Sequence, residues 1–206
     1  MKVIELIVDD KVSKYELPTE WNEVSVSQYS KLMKVLDNED ASEIEVIVRT
    51  LEALVGIESR VLTKAPLKYL KSVYIELAIL TSKEPVNHLK KVIEIDGVEY
   101  GMIPDFNDLT LGEFVDLDNY LQDSWNNLVK IFAVLYRPIV ERKGDKYIIG
   151  DYTLKDIKER REIFSDKLSI DTAFGAMVFF YDIGSKLIEN MVSSLEIQNQ
   201  ELRKAI

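Results

Sequence analysis

Residues 2–17, KVIELIVDDKVSKYEL, place two apolar-rich runs on either side of Asp9-Asp10-Lys11, which predicts a β-hairpin ended by Pro18. Ser25 with Gln28 three residues later has the spacing of a helix capping box. A helix over about 26–37 follows, with Tyr29, Leu32, Met33 and Leu36 on one face. After a polar break at 38–42, residues 43–55 predict a second helix with Ile44, Ile47, Val48, Leu51, Leu54 and Val55 inward, closed by Gly56. A third helix starts near Pro66 and turns Leu67, Leu70, Val73, Tyr74, Leu77 and Leu80 to the core. The pattern then returns to strand. Residues 91–103 predict a second hairpin turning at Asp96-Gly97 and stopped by Pro104. Thr110 and Glu113 form another capping box, opening a helix whose face is Phe114, Leu117, Tyr120 and Leu121. A helix over about 125–136 carries Trp125, Leu128, Phe132 and Leu135 inward. A third hairpin over 138–149 turns at Lys143-Gly144-Asp145, and helices at about 153–164 and 170–203 complete the chain, the last broken near Gly184.

The stretch from Trp21 to Tyr29, WNEVSVSQY, recurs 85 residues further on as Phe106 to Phe114, FNDLTLGEF. Aromatic matches aromatic, Asn matches Asn, acid matches acid, and the hydroxyl cap and its reciprocal partner recur in register. Each copy follows a hairpin and a proline, and each precedes two helices. The physical reading is one unit used twice: hairpin, proline turn, aromatic staple, cap, helix, helix. An isolated two-stranded hairpin is marginal in water, so each must lie on helices or on the other hairpin. The expected organisation is a first unit at 1–85, with a hairpin and three helices. A second at 86–206 carries an inserted hairpin and a long C-terminal helix, and both fold into one compact body. The expected fold class is α+β, mainly α. On this reading Trp21 and Phe106 are equally buried staples.

Composition narrows the chemistry. Of the 206 residues 47% are hydrophobic, enough for a sizeable core. With no cysteine, there are no disulfides, thiolate nucleophiles, iron–sulfur clusters or cysteine zinc sites. A single histidine, His88, removes two-histidine metal sites. None of the eight glycines falls in a phosphate-cradling GxGxxG or GxxxxGK[ST] arrangement. The Val3–Val8 run is too short for a secretory signal, and no run approaches a membrane span. The net charge of -10 argues against a nucleic-acid partner, because phosphate contact needs a basic footprint.

Charge is uneven in one place. Between Lys91 and Lys130 there is no Lys or Arg, while Glu94, Asp96, Glu99, Asp105, Asp108, Glu113, Asp116, Asp118 and Asp123 all fall there. Asp116, Asp118 and Asp123 could ligate a hard cation. The calcium-loop pattern, however, wants Gly and Glu where Leu121 and Asn127 stand, so a solvated helix face accounts for them better. Lys155, Lys158, Arg160 and Arg161 alternate with Asp156, Glu159 and Glu162, the spacing of i,i+4 pairs on an exposed helix. His88 reads as a surface or capping residue. The segment 170–183 is apolar nearly all round, which predicts a central helix buried on several sides. Leu187, Ile188, Met191, Leu195 and Leu202 predict an amphipathic helix over 187–204 that docks on a neighbour.

The string LTLGEFVDLDNYLQDSWNNLVKIFAVLYRPI at 109–139, the pair Tyr147 and Tyr152 in Y-x-I-x-x-Y, and Phe179-Phe180 resemble small uncharacterised proteins of tailed bacteriophages. Those proteins come from structural and assembly gene blocks, crAss-like phages included. The resemblance implies a virion or virion-assembly role and transfers no catalytic, cofactor or metal residue. The expectation is therefore a non-enzymatic virion component at or near the head–tail region, in an oligomeric assembly with other phage structural proteins. It would reside in the virion, or in the host cytoplasm during assembly, with no nucleic acid or membrane contact. Two alternatives are a tail assembly chaperone absent from the mature particle, and an acidic adaptor that binds a basic host protein through 94–123.

Overall fold

A computed structural model describes residues 1–179 apart from 87, 125 and 145. The fold is α+β and mainly α, with two small antiparallel sheets among the described residues. The first hairpin is β1 (Lys2–Val8) and β2 (Lys11–Leu17). Asp9 and Asp10 both take positive φ at its two-residue turn, as a turn matched to strand twist requires. Its inner face buries Ile4, Leu6 and Leu17. The hairpin lies against α2 (Glu43–Val55) and α4 (Leu67–Thr81). Tyr69 Oη donates to Glu5 O at 2.8 Å, and Lys2 pairs with Glu76 at 2.6 Å.

A 3-10 turn at Trp21–Glu23 leads to Ser25, whose hydroxyl accepts from Gln28 N at 3.2 Å while Gln28 Oε1 accepts from Ser25 N at 2.8 Å. This capping box opens α1 (Val26–Leu36). Trp21 is buried, meets Tyr29 edge-on at 5.4 Å between ring centroids, and donates from Nε1 to Lys83 O at 2.7 Å. The short helix α3 (Ser59–Leu62), which the pattern did not predict, links α2 to α4.

The second hairpin, β3 (Val92–Ile95) and β4 (Val98–Met102), turns at Asp96 and Gly97, both at positive φ. It does not pair with the first hairpin. It joins β5 (Tyr136–Lys143) and β6 (Lys146–Ile149) in a sheet of order β3-β4-β5-β6. A second 3-10 turn, Phe106–Asp108, leads to α5 (Leu111–Leu121), capped by Thr110 and Glu113. The 3-10 turns and the helices α1 and α5 have the same lengths and recur at the 85-residue offset, and α2 and α6 (Leu128–Leu135) start at that offset as well. There the correspondence stops. α6 passes without a loop into β5, where Pro138 sits opposite Tyr100 rather than ending a helix. Pro138 still contributes its carbonyl, which accepts from Gly150 N at 2.9 Å. Helix α6 starts at Leu128, three residues later than the pattern suggests; Trp125 lies outside the described residues.

Four apolar positions depart from the periodicity. Ile44, Leu67, Phe114 and Leu36 were placed on the inward faces, yet all are exposed. The first three sit in the first turn or so of their helices, and Leu36 is the last residue of α1. Phe114 differs from its counterpart Tyr29, which is half-buried on Trp21. Trp21 is 6% exposed but Phe106 is only half-buried, so the two staples are not equivalent.

The last part of the fold is α7 (Leu154–Lys167) and α8, described over residues 170–179. Ile170, Ala173, Ala176 and Met177 are buried in α8, as the all-round apolar pattern implies. Phe180, Tyr181, Gly184 and the amphipathic stretch at 187–204 lie outside the described residues. Between α7 and α8 the chain passes alongside the start of α1. Val26 N donates to Leu168 O at 3.0 Å, and Ile170 N donates to Val24 O at 2.8 Å. Gly175 lets α8 approach the linker before β3: a Cβ there would stand 2.4 Å from His88 O. Beneath the sheet Phe132 stacks on Tyr136 at 4.5 Å, and Phe164 meets Phe132 and Tyr100 edge-on at 5.9 and 5.0 Å.

Two outcomes follow for chemical denaturation. Trp21→Ala costs about 3–5 kcal/mol, whereas Phe106→Ala costs about 1–2 kcal/mol; equal losses would contradict the difference in burial. Gly175→Ala, which in an unobstructed helix would stabilise by up to about 1 kcal/mol, instead destabilises by about 1–3 kcal/mol because the linker must move. A stabilised variant would show that α8 and His88 are not in contact.

Candidate functional site

Titratable groups converge most densely where α5, β5 and α7 meet. Glu113 is at N3 of α5, and its position follows from the capping box. Its Oε2 accepts from Thr110 N at 2.7 Å and from Thr110 Oγ1 at 2.6 Å. That leaves Oε1 facing inward, with Arg137 Nη2 of β5 at 2.8 Å. The contact is electrostatic rather than an aligned hydrogen bond, since Oε1 has no hydrogen-bonding donor among the described residues. Both side chains are largely withdrawn from water, at 2% exposure for Glu113 and 12% for Arg137. In the first unit the matching residue is Gln28, which caps Ser25 in the same way and sends its Nε2 to Leu54 O at 3.0 Å. One geometry thus places a neutral amide on a helix end in one unit and a carboxylate on an arginine in the other.

The network widens along α5 at helical spacing. Asp116 accepts from Tyr152 Oη at 2.5 Å, and the Tyr152 ring lies beneath the Arg137 guanidinium at 6.0 Å. Burial raises the Tyr152 phenol pKa above its ordinary value, and the bond to Asp116 raises it further. Tyr120 Oη accepts from Arg161 Nη2 at 2.6 Å, with Lys130 and Arg161 over its ring. Arg160 is 3% exposed and donates from Nε to Ala133 O at 3.0 Å. Burial lowers its pKa from the usual guanidinium value, and Asp156 one turn earlier opposes that.

This arrangement is suited to holding helices and sheet together. Its acids are engaged by Arg, Thr and Tyr, and a phenol whose pKa is raised is a poor base or nucleophile. Sequence reasoning placed Arg160 and Arg161 on an exposed, ion-paired helix face. The structure corrects this: Arg160 is buried on a carbonyl, and Arg161 reaches a tyrosine. A buried arginine has no signature in a helix that is otherwise charged all along. The pairing of Glu113 with Arg137 was likewise missed, because the partners lie 24 positions apart with a helix between them.

The remaining candidates disperse. Asp116 serves Tyr152, Asp118 is exposed, and Asp123 accepts from Asn126 Nδ2 at 3.0 Å. No group of three metal-ligating side chains occurs among the described residues. His88 is exposed, its backbone against Gly175. The concavities are open clefts. One of about 530 Å³ lies between α1 and α2, lined by Lys31, Lys34, Val35, Arg49 and Glu52. Another of about 390 Å³ lies along α6 and α7 beside Lys130 and Arg161. Among the described residues no helix is long and apolar enough to cross a membrane. Comparison with protein-family models, curated proteins and solved structures found no match.

The buried pair sets a stability test. Arg137→Met leaves Glu113 buried without its cation and costs about 3–5 kcal/mol. Glu113→Gln keeps the cap, as Gln28 does, so the double variant costs clearly less than the sum of the two single ones. Additive losses in urea denaturation would show that the two side chains do not interact.

Proposed function

We propose that the chain is a non-enzymatic structural protein of a tailed bacteriophage, a virion component at or near the head–tail region that acts through protein–protein contact. One observation carries the contact reading: apolar side chains stand exposed in rows on the outer faces of ordered elements. On the first hairpin these are Val3, Ile7 and Val12; on α4, Leu67, Ile75 and Ile79; on α5, Leu111, Phe114 and Val115. Single exposed apolar residues are ordinary, but rows on one face are the usual mark of an interaction surface. Both strands of the first sheet are edges, and β3 and β6 are edges of the second, so strand addition is open to a partner as well.

The phage assignment rests on the resemblance carried by 109–139, a stretch that forms α5, α6 and the start of β5. The units at 1–85 and 86–206 are proposed to descend from one duplicated unit, supported by the recurrence of turn, cap and helix at a constant offset. Mass spectrometry of gradient-purified virions tests the assignment. Stoichiometric presence, in multiples of six or twelve, is the expected result. Abundance in infected cells with absence from particles would overturn it in favour of an assembly chaperone or a regulator.

A further inference from the structure

Of the exposed apolar rows, the one on α5 is set apart by the charges beside it. On α4 two of the neighbouring charges are already paired, Lys71 with Glu43 and Glu76 with Lys2. On the first hairpin Glu5 is paired with Lys14 across the strands. On α5, Leu111, Phe114 and Val115 are 78%, 57% and 46% exposed and fall at i, i+3 and i+4, one stripe of an 11-residue helix about 16 Å long. Asp118, at i+4 from Phe114, continues the stripe, and Asp108 precedes the cap. The Tyr152 ring lies against the first turn, since a Cβ on Gly112 would meet it at 3.8 Å. Asp151 and Leu154, the latter 81% exposed, flank that ring in sequence. Among the described residues, Asp108, Asp118 and Asp151 form no ion pair. Arg137, whose guanidinium lies over the Tyr152 ring, is engaged with Glu113. Lys155 and Lys158 follow Leu154 on α7 and are exposed.

We infer that the outer face of α5 is a docking surface for a basic amphipathic helix of another protein. The apolar side of that helix would lie on Leu111, Phe114 and Val115, and its Lys or Arg flank on Asp108, Asp118 and Asp151. Two features favour this occupant over a second copy of the chain. The face is acidic and the whole chain carries -10, so two copies repel. The stripe has helix spacing, so a helix matches it better than a strand. The capping box and the buried Glu113–Arg137 pair hold the opposite side of α5, so the docking side is presented on a rigid element. The inference deepens the contact reading and does not depend on the phage assignment.

The test is fluorescence anisotropy of the full chain with a labelled amphipathic peptide of Leu and Lys, beside a Ser and Lys peptide of equal charge. The expected result is binding of the Leu–Lys peptide that weakens as salt rises from about 50 to 300 mM. The double variant Leu111→Ser/Phe114→Ser lowers affinity about tenfold or more. The control Ile75→Ser/Ile79→Ser on α4 stays within about twofold. Asp118→Asn, which alters no packing, lowers affinity by a smaller factor and flattens the salt dependence. Equal binding of the two peptides, or equal loss in the α5 and α4 variants, would overturn the proposal. So would sedimentation showing that the chain self-associates through Phe114, which would make a second copy the occupant. Any of these, with the chain still present in purified virions, leaves the structural role standing and removes only this surface.

Discussion

Two helices of this protein begin side by side, and each supplies the other's first hydrogen bond. The first N–H of α1, on Val26, has no acceptor within its own helix; it finds Leu168 O. The first N–H of α8, on Ile170, finds Val24 O. Ser25 and Ser169 face each other across this bridge, and both cap with their hydroxyls, Ser25 on Gln28 N and Ser169 on Thr172 N. Because the partners lie 144 positions apart, this exchange brings residues before the first helix to those before the last. Val24, Val26, Leu168 and Ile170 are all buried, so separating the two segments would leave unsatisfied amides in an apolar setting.

From that bridge the rest of the packing follows. With its start held at Val24, α8 runs through the centre, and its small residues let other elements come close. Gly175 admits the linker at His88, and Asp171 accepts from Val86 N at 2.7 Å. The linker in turn delivers Lys90 O to Tyr136 Oη at 2.6 Å, which fixes the end of α6 and the start of β5. The Phe132, Tyr136 and Phe164 rings then pack between sheet and helices. Trp21 closes the first unit by the same means, a buried ring with its one polar atom on a linker carbonyl.

The buried charges belong to this framework. The capping box forces Glu113 to point one oxygen at Thr110 and the other into the interior, so a cation must be brought to it. β5 brings Arg137 because α6 turns into β5 with no loop to absorb slack. The consequence is an α5 whose inner side carries a buried ion pair beside the core residue Leu117 and whose outer side is apolar, acidic and exposed. That division makes the outer stripe a surface rather than a misplaced core.

Local order was legible in the residues alone. The Asp9-Asp10 and Asp96-Gly97 turns, the caps at Ser25 and Thr110, and the helices they start depend on neighbours within four positions. They appear where short-range chemistry puts them. The recurrence of that local chemistry at a fixed spacing could be read for the same reason. The helix faces were legible in their middles and not at their ends, because burial of Ile44, Leu67, Phe114 and Leu36 depends on what packs against the end of each helix. Only the tertiary structure decided that the two hairpins do not pair, that Arg160 is buried, that Glu113 meets Arg137, and that α1 and α8 share hydrogen bonds. Each of these joins positions far apart in the chain, where the choice among many competing partners is made by packing of the whole core and not by local spacing.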